Sequence, residues 1–68
     1  MELYELLKYI DNNLNRDIHL ARKNDIKDLY IGKTQDVPYK YINQKVINIV
    51  PFFDERLHPY IKIFITED

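Results

Sequence analysis

The chain has 68 residues and no cysteine, and its ten basic and eleven acidic side chains leave a net charge of −1. That length makes one small domain, which buries only about 60% of the surface its unfolded form exposes; without Cys, neither disulfides nor thiolate zinc sites can reinforce so thin a core. The charges interleave, as in Arg22-Lys23-Asn24-Asp25 and Lys27-Asp28, which excludes a strongly basic nucleic-acid binder and a strongly acidic mimic of one.

Leu3, Leu6, Leu7, Ile10 and Leu14 recur at helical spacing, and Glu2 and Glu5 sit where a helix dipole favours negative charge. The expectation is a helix from Glu2 to Asp11, stopped by Asp11-Asn12-Asn13, with Tyr4 and Tyr9 flanking its apolar stripe. Asp17-Ile18-His19-Leu20-Ala21 then alternates with period two, which turns Ile18 and Leu20 inward and His19 outward. Residues Ile26 to Lys33 supply Leu29 and Ile31 to the same core, making a hairpin with a four- or five-residue connection. Gly32, the single glycine, marks a strand end that needs positive φ or close backbone approach; alone it cannot form a phosphate-cradling loop.

Asp36 to Asn43 reads as one or two helical turns, with Asp36 as N-cap, Pro38 in the first turn and Val37, Tyr41 and Ile42 facing inward. Lys45 to Val50 is β-branched and strand-like, but two registers compete: Ile47 with Ile49, or Val46 with Asn48 and Val50. Pro51 removes a ladder donor and so ends that strand or confines it to an edge. The last run, Pro59 to Thr66, places Ile61, Ile63 and Ile65 on one face and Tyr60, Lys62 and Phe64 on the other. A strand wet on one side should be polar there, so the rings of Tyr60 and Phe64 call for a cover.

The fold class expected is α+β: an N-terminal helix on a mainly antiparallel four-stranded sheet, order α-β-β-α-β-β, all in one domain spanning residues 1–68. The predicted core is Leu3, Leu6, Leu7, Ile10, Ile18, Leu20, Leu29, Ile31, Ile42, Ile47, Ile49, Ile61, Ile63 and Ile65. Met1 leads into Glu2 and Glu5 rather than a basic and then apolar run, and no apolar stretch approaches the roughly 18 residues of a membrane span. The expected setting is therefore cytoplasmic, with no membrane contact.

The order of features resembles that of small proteins of Firmicutes phages and mobile elements. The Leu-rich opening helix, the turn Asp11-Asn12-Asn13, the segment Leu29-Tyr30-Ile31-Gly32-Lys33, the turn Asp36-Val37-Pro38 and the strand from Val46 carry the resemblance over nearly the whole chain. Pro51-Phe52-Phe53 and the long last strand depart from the pattern. The resemblance implies an origin and a fold rather than an activity.

Serine and cysteine are both absent, which removes the usual nucleophile triads. His19 and His58 lack the spacing of a metal site, and Asp25 with Asp28 falls short of the oxygen set calcium requires. Asp54-Glu55-Arg56 carries acid and base groups, but charged hairpin tips are routine, and Glu67-Asp68 reads as a polar tail. No enzyme activity, cofactor or metal is expected.

The interaction candidates are Phe52, Phe53, Leu57, Tyr60 and Phe64, because large apolar groups exposed as one patch mark interfaces. Phe53 and Phe64 serve equally as core residues capped by the first helix. The leading functional expectation is a non-enzymatic protein-interaction module that binds a host protein, a defence component among the candidates. The alternatives are a homodimer whose pairing completes the core, and a weak single-strand nucleic-acid binder using Tyr39, Lys40, Tyr41, Lys45, Tyr60 and Lys62.

Overall fold

The computed structural model describes residues 1–14, 16–23, 25, 27–53 and 55–66. Helix α1 (Leu3–Asn13) is followed by β1 (Asp17–Arg22), β2 (Tyr30–Gly32), two 3₁₀ turns (Thr34–Asp36 and Tyr39–Tyr41), β3 (Val46–Phe53) and β4 (Pro59–Ile65). The sheet order is β2-β1-β4-β3. Two antiparallel pairings, β1 with β2 and β3 with β4, flank a central parallel pairing of β1 with β4. The expected α+β class and mainly antiparallel sheet are therefore present, with one parallel seam in the middle.

Helix α1 is held at both ends by bonds that satisfy its orphan backbone groups. The Leu3 and Tyr4 N–H groups donate to the Gln44 and Ile42 carbonyls at 2.8 and 2.9 Å, which docks the helix start on the segment entering β3. Glu5 Oε1 accepts from the Glu2 N–H at 3.1 Å, one arm of a capping box. At the other end Asn13 Nδ2 donates to the Tyr9 carbonyl at 3.0 Å. The helix runs two residues past the stop expected at Asp11, and the Leu14 N–H caps it by donating to the Ile10 carbonyl at 2.9 Å.

Leu3, Leu6, Leu7 and Ile10 of α1 close on Ile18 and Leu20 of β1, Ile61, Ile63 and Ile65 of β4, and Tyr41 of the second 3₁₀ turn. Leu29, Tyr30, Val37, Ile42 and Val46 pack against this cluster. The core thus lies on one side of the sheet, over its two central strands.

Of the predicted core residues, Leu29 and Ile42 are half-buried and three are exposed. Ile31 is 61% exposed because it pairs with His19, the outward residue of β1, so parity places it on the far face. Ile47 is 53% exposed because a β-bulge between Val46 and Asn48 takes it out of the ladder. Ile49 shares a rung with buried Ile63, but on edge strand β3 it lies beside the helix layer and stays 44% exposed. The competing registers of this segment are both partly realised: the bulge sends Val46 to the core side and Asn48 and Val50 to the other.

The first hairpin also differs from expectation. Strand β2 is three residues long, and residues 23–29 separate it from β1. Asp28 turns toward β1 and β4 instead of extending the strand, while the Leu29 N–H donates to the Leu20 carbonyl at 2.6 Å. Ile26, expected in this strand, lies outside the described residues, as do Asp54 of the acidic hairpin tip and the tail Glu67-Asp68.

Gly32 has φ +150°, and a Cβ there would fall 2.7 Å from the Tyr30 hydroxyl oxygen. The Tyr30 side chain folds back over Gly32 and donates to the Lys33 carbonyl at 2.6 Å. The positive φ expected at this position is met, while the group that closely approaches is the Tyr30 side chain rather than backbone. Desolvation raises the Tyr30 hydroxyl pKa above its usual value, and the negative charges of Asp36 and Asp17 add to the shift.

Candidate functional site on the open face of the sheet

The side of the sheet away from α1 carries the outward residues of every strand. In β4 these are Tyr60, Lys62 and Phe64; the parallel seam sets them beside Asp17, His19 and Ala21 of β1. On the other side of β4 they meet Phe52, Val50 and Asn48 of β3.

One side chain from each strand forms a row across this face. Phe52 stacks on Tyr60 with ring centroids 5.7 Å apart and planes 18° apart. Tyr60 stacks in turn on His19, with centroids 3.9 Å apart and planes 20° apart. Ile31 follows on β2, in register with His19. The two ends of the row, Phe52 and Ile31, are exposed, while the two middle rings are half-buried.

The charges at the centre of the face neutralise one another. His19 Nδ1 lies 3.1 Å from Asp28 Oδ2, and the carboxylate accepts from the ring N–H. Lys62 Nζ lies 3.4 Å from Asp28 Oδ1 and 5.5 Å from the centre of the Phe64 ring. Asp28 thus holds the imidazole upright against Tyr60 and fixes the lysine over Phe64. Near the sheet edge, Asp17 and Lys33 approach to 4.0 Å.

Two depressions flank the row. Lys23, Ile47, Asn48 and Phe64 line one of about 360 Å³, into which the bulge delivers Ile47. His19, Phe53, Glu55, Arg56 and Tyr60 line a shallow cleft of about 510 Å³ at the hairpin end.

Of the five expected interaction residues, four border this surface: Phe52 and Tyr60 in the row, Phe64 further along β4, and Phe53 in the cleft. Leu57 stands on the β3–β4 connection, 75% exposed, with φ +62°. His19, Ile31, Asp28 and Lys62 belong to the same surface but were not among the expected interaction residues. The signals in the sequence were the outward parity of His19 and of Lys62.

The residues expected to serve a nucleic-acid surface are divided. Tyr41 is buried in the core, with Lys40 Nζ and the Arg22 guanidinium 5.2 and 5.8 Å from its ring centre. Tyr60 and Lys62 lie on the opposite side of the sheet, and Tyr39 is exposed. His58 is exposed, and no group of three or more metal-ligating side chains occurs among the described residues. No described helix is long and apolar enough to cross a membrane.

The free edge of β3 is blunted against strand addition. Its first amide, on Val46, donates to the Met1 carbonyl at 2.9 Å. Further along, the Ile49 N–H is taken by Asn48 Oδ1 at 2.9 Å, and Pro51 has no N–H to offer. At β3, therefore, the surface suited to contact is the face rather than the edge.

Comparison with protein-family models, with curated proteins and with solved structures finds no match to this chain.

Proposed function

We propose that the chain is a protein-interaction module that docks through the open face of its sheet. The observation that carries this reading is the row Phe52–Tyr60–His19–Ile31, apolar or aromatic on all four strands, exposed at both ends and half-buried in the middle, on the side of the sheet that α1 does not reach. Sheets of this kind are ordinarily packed on one side and polar on the other. Stacked rings bring large contact area at low entropic cost, and such groups dominate binding energy at protein interfaces.

The charge pattern favours protein over nucleic acid. Lys62, the cation at the centre of the face, is already paired with Asp28, and Lys33 approaches Asp17. A phosphate backbone would find little positive field there. The resemblance to phage and mobile-element proteins makes a host protein one class of partner.

Phe52→Asp tests the reading directly, because Phe52 is exposed and its replacement leaves the core intact. Affinity capture should lose its specific partner with this variant and retain it with Tyr9→Asp on the helix. Equal capture by both would refute the open face as the docking surface.

A further inference from the structure

We infer that the partner seated on the open face is a second copy of this chain, packed sheet against sheet about a two-fold axis. The inference rests on the docking role proposed for that face and names its occupant.

Three observations carry it. The first is area. The Cα atoms extend over 33 × 28 × 18 Å, so a broad side of the molecule has an outline of at most roughly 900 Å², enough to accommodate the ~800 Å² per partner of a standard stable interface. The chain's total surface of 5133 Å² also exceeds the roughly 4,600 Å² typical of a monomer of this mass, as expected when one layer of a fold is missing.

The second is self-complementarity. A two-fold interface brings each patch against itself, so residue i meets j and j meets i. An axis through the middle of the row lays Phe52 of one copy on Ile31 of the other, twice, with the His19–Tyr60 stacks between them. Both row ends are apolar and exposed, and neither presents a charge to its counterpart. At the centre, Asp28 is already bonded to His19 and Lys62, so apposition sets paired charges against paired charges.

The third is the state of the β3 edge. With Val46, Asn48 and Pro51 closing it, self-association by sheet extension is disfavoured there, whereas face-to-face packing at about 10 Å needs no free backbone group.

Sedimentation velocity from about 1 µM to about 500 µM tests the inference. Wild type should pass from monomer to dimer across that range. Phe52→Lys and Ile31→Lys should each weaken dimerisation at least about tenfold, the loss expected on removing an interface anchor. Circular dichroism of all three proteins at the dilute end checks that the fold is kept. A wild type that stays monomeric throughout overturns the second copy as occupant; the docking role of the face then stands or falls by capture with Phe52→Asp. A dimer that both lysine variants leave intact uses another surface, and that result removes the self-pairing and the support it lends the face.

Discussion

His19 and Tyr60 lie face to face, ring centroids 3.9 Å apart, across the parallel seam between β1 and β4. Their stack ties the two hairpins of the chain together on the side that α1 does not reach. Asp28, from the β1–β2 connection, holds the imidazole in place at 3.1 Å and ties Lys62 of β4 into the same cluster. The open face is therefore an ordered surface, supported by contacts between segments far apart in sequence.

A double-mutant cycle should find that pairing. His19→Ala and Tyr60→Ala, alone and together, should show a coupling of about 0.5–1.5 kcal/mol in urea unfolding. Additive effects would mean that the stack contributes nothing beyond the separate burial of each ring.

The one-sided core predicts a contrast along a single rung. Ile63→Ala empties a fully buried position and should destabilise by about 2–5 kcal/mol, a large share of the total for a domain this small. Ile49→Ala, its rung partner on edge strand β3, should lose less than about 1 kcal/mol. Chemical denaturation of the two variants separates the outcomes, and similar losses would contradict the assigned layering.

Gly32→Ala should destabilise by about 1–3 kcal/mol, since φ +150° and the Tyr30 hydroxyl both oppose a Cβ. In a Tyr30→Ala background the steric part of the loss should vanish and the backbone part remain. Urea midpoints of the four proteins measure both parts.

Tyr30 also makes a pH prediction. Its folded pKa is raised above the unfolded value by desolvation, reinforced by Asp36 and Asp17. The folded form therefore holds the hydroxyl proton more tightly. The resulting stabilisation is fully present below the unfolded tyrosine range, near pH 10, and is lost as pH rises through the folded value. Wild type should lose an increment of stability in that alkaline window that Tyr30→Phe does not lose. Ultraviolet titration should likewise show a late-titrating component in the wild type that Tyr30→Phe lacks.

Opening the β3 edge should create an association that the native sequence avoids. Asn48→Ala with Pro51→Thr removes the side-chain acceptor from the Ile49 amide and restores a donor at position 51. Thioflavin fluorescence and light scattering should rise on incubation of the double variant while wild type remains clear.

Much of this fold was legible from periodicity. The stripe of Leu3, Leu6, Leu7 and Ile10 and the alternation of Ile18 with Leu20, and of Ile61, Ile63 and Ile65, each report one buried face, and all nine residues are buried. Alternation within one strand cannot say how strands align, however. Ile31 looked like core until its rung with His19 was known, and Ile47 until the bulge was. The site shows the same division. Tyr60 and Phe64 were marked as outward rings by parity alone. The place of His19 beside Tyr60 depends on a parallel pairing between segments some forty residues apart, which no local pattern encodes.

Hydroxyl-radical footprinting tests the docking surface most directly, because it reads Phe52 and Tyr60 on the open face against Tyr4, Tyr9 and Tyr39 elsewhere in the same sample. Compared with the dilute chain, the chain at high concentration or bound to its captured partner should show strong protection at Phe52 and Tyr60, with Tyr4, Tyr9 and Tyr39 labelled as before. Protection at the helix tyrosines, with Phe52 and Tyr60 unchanged, would contradict the account.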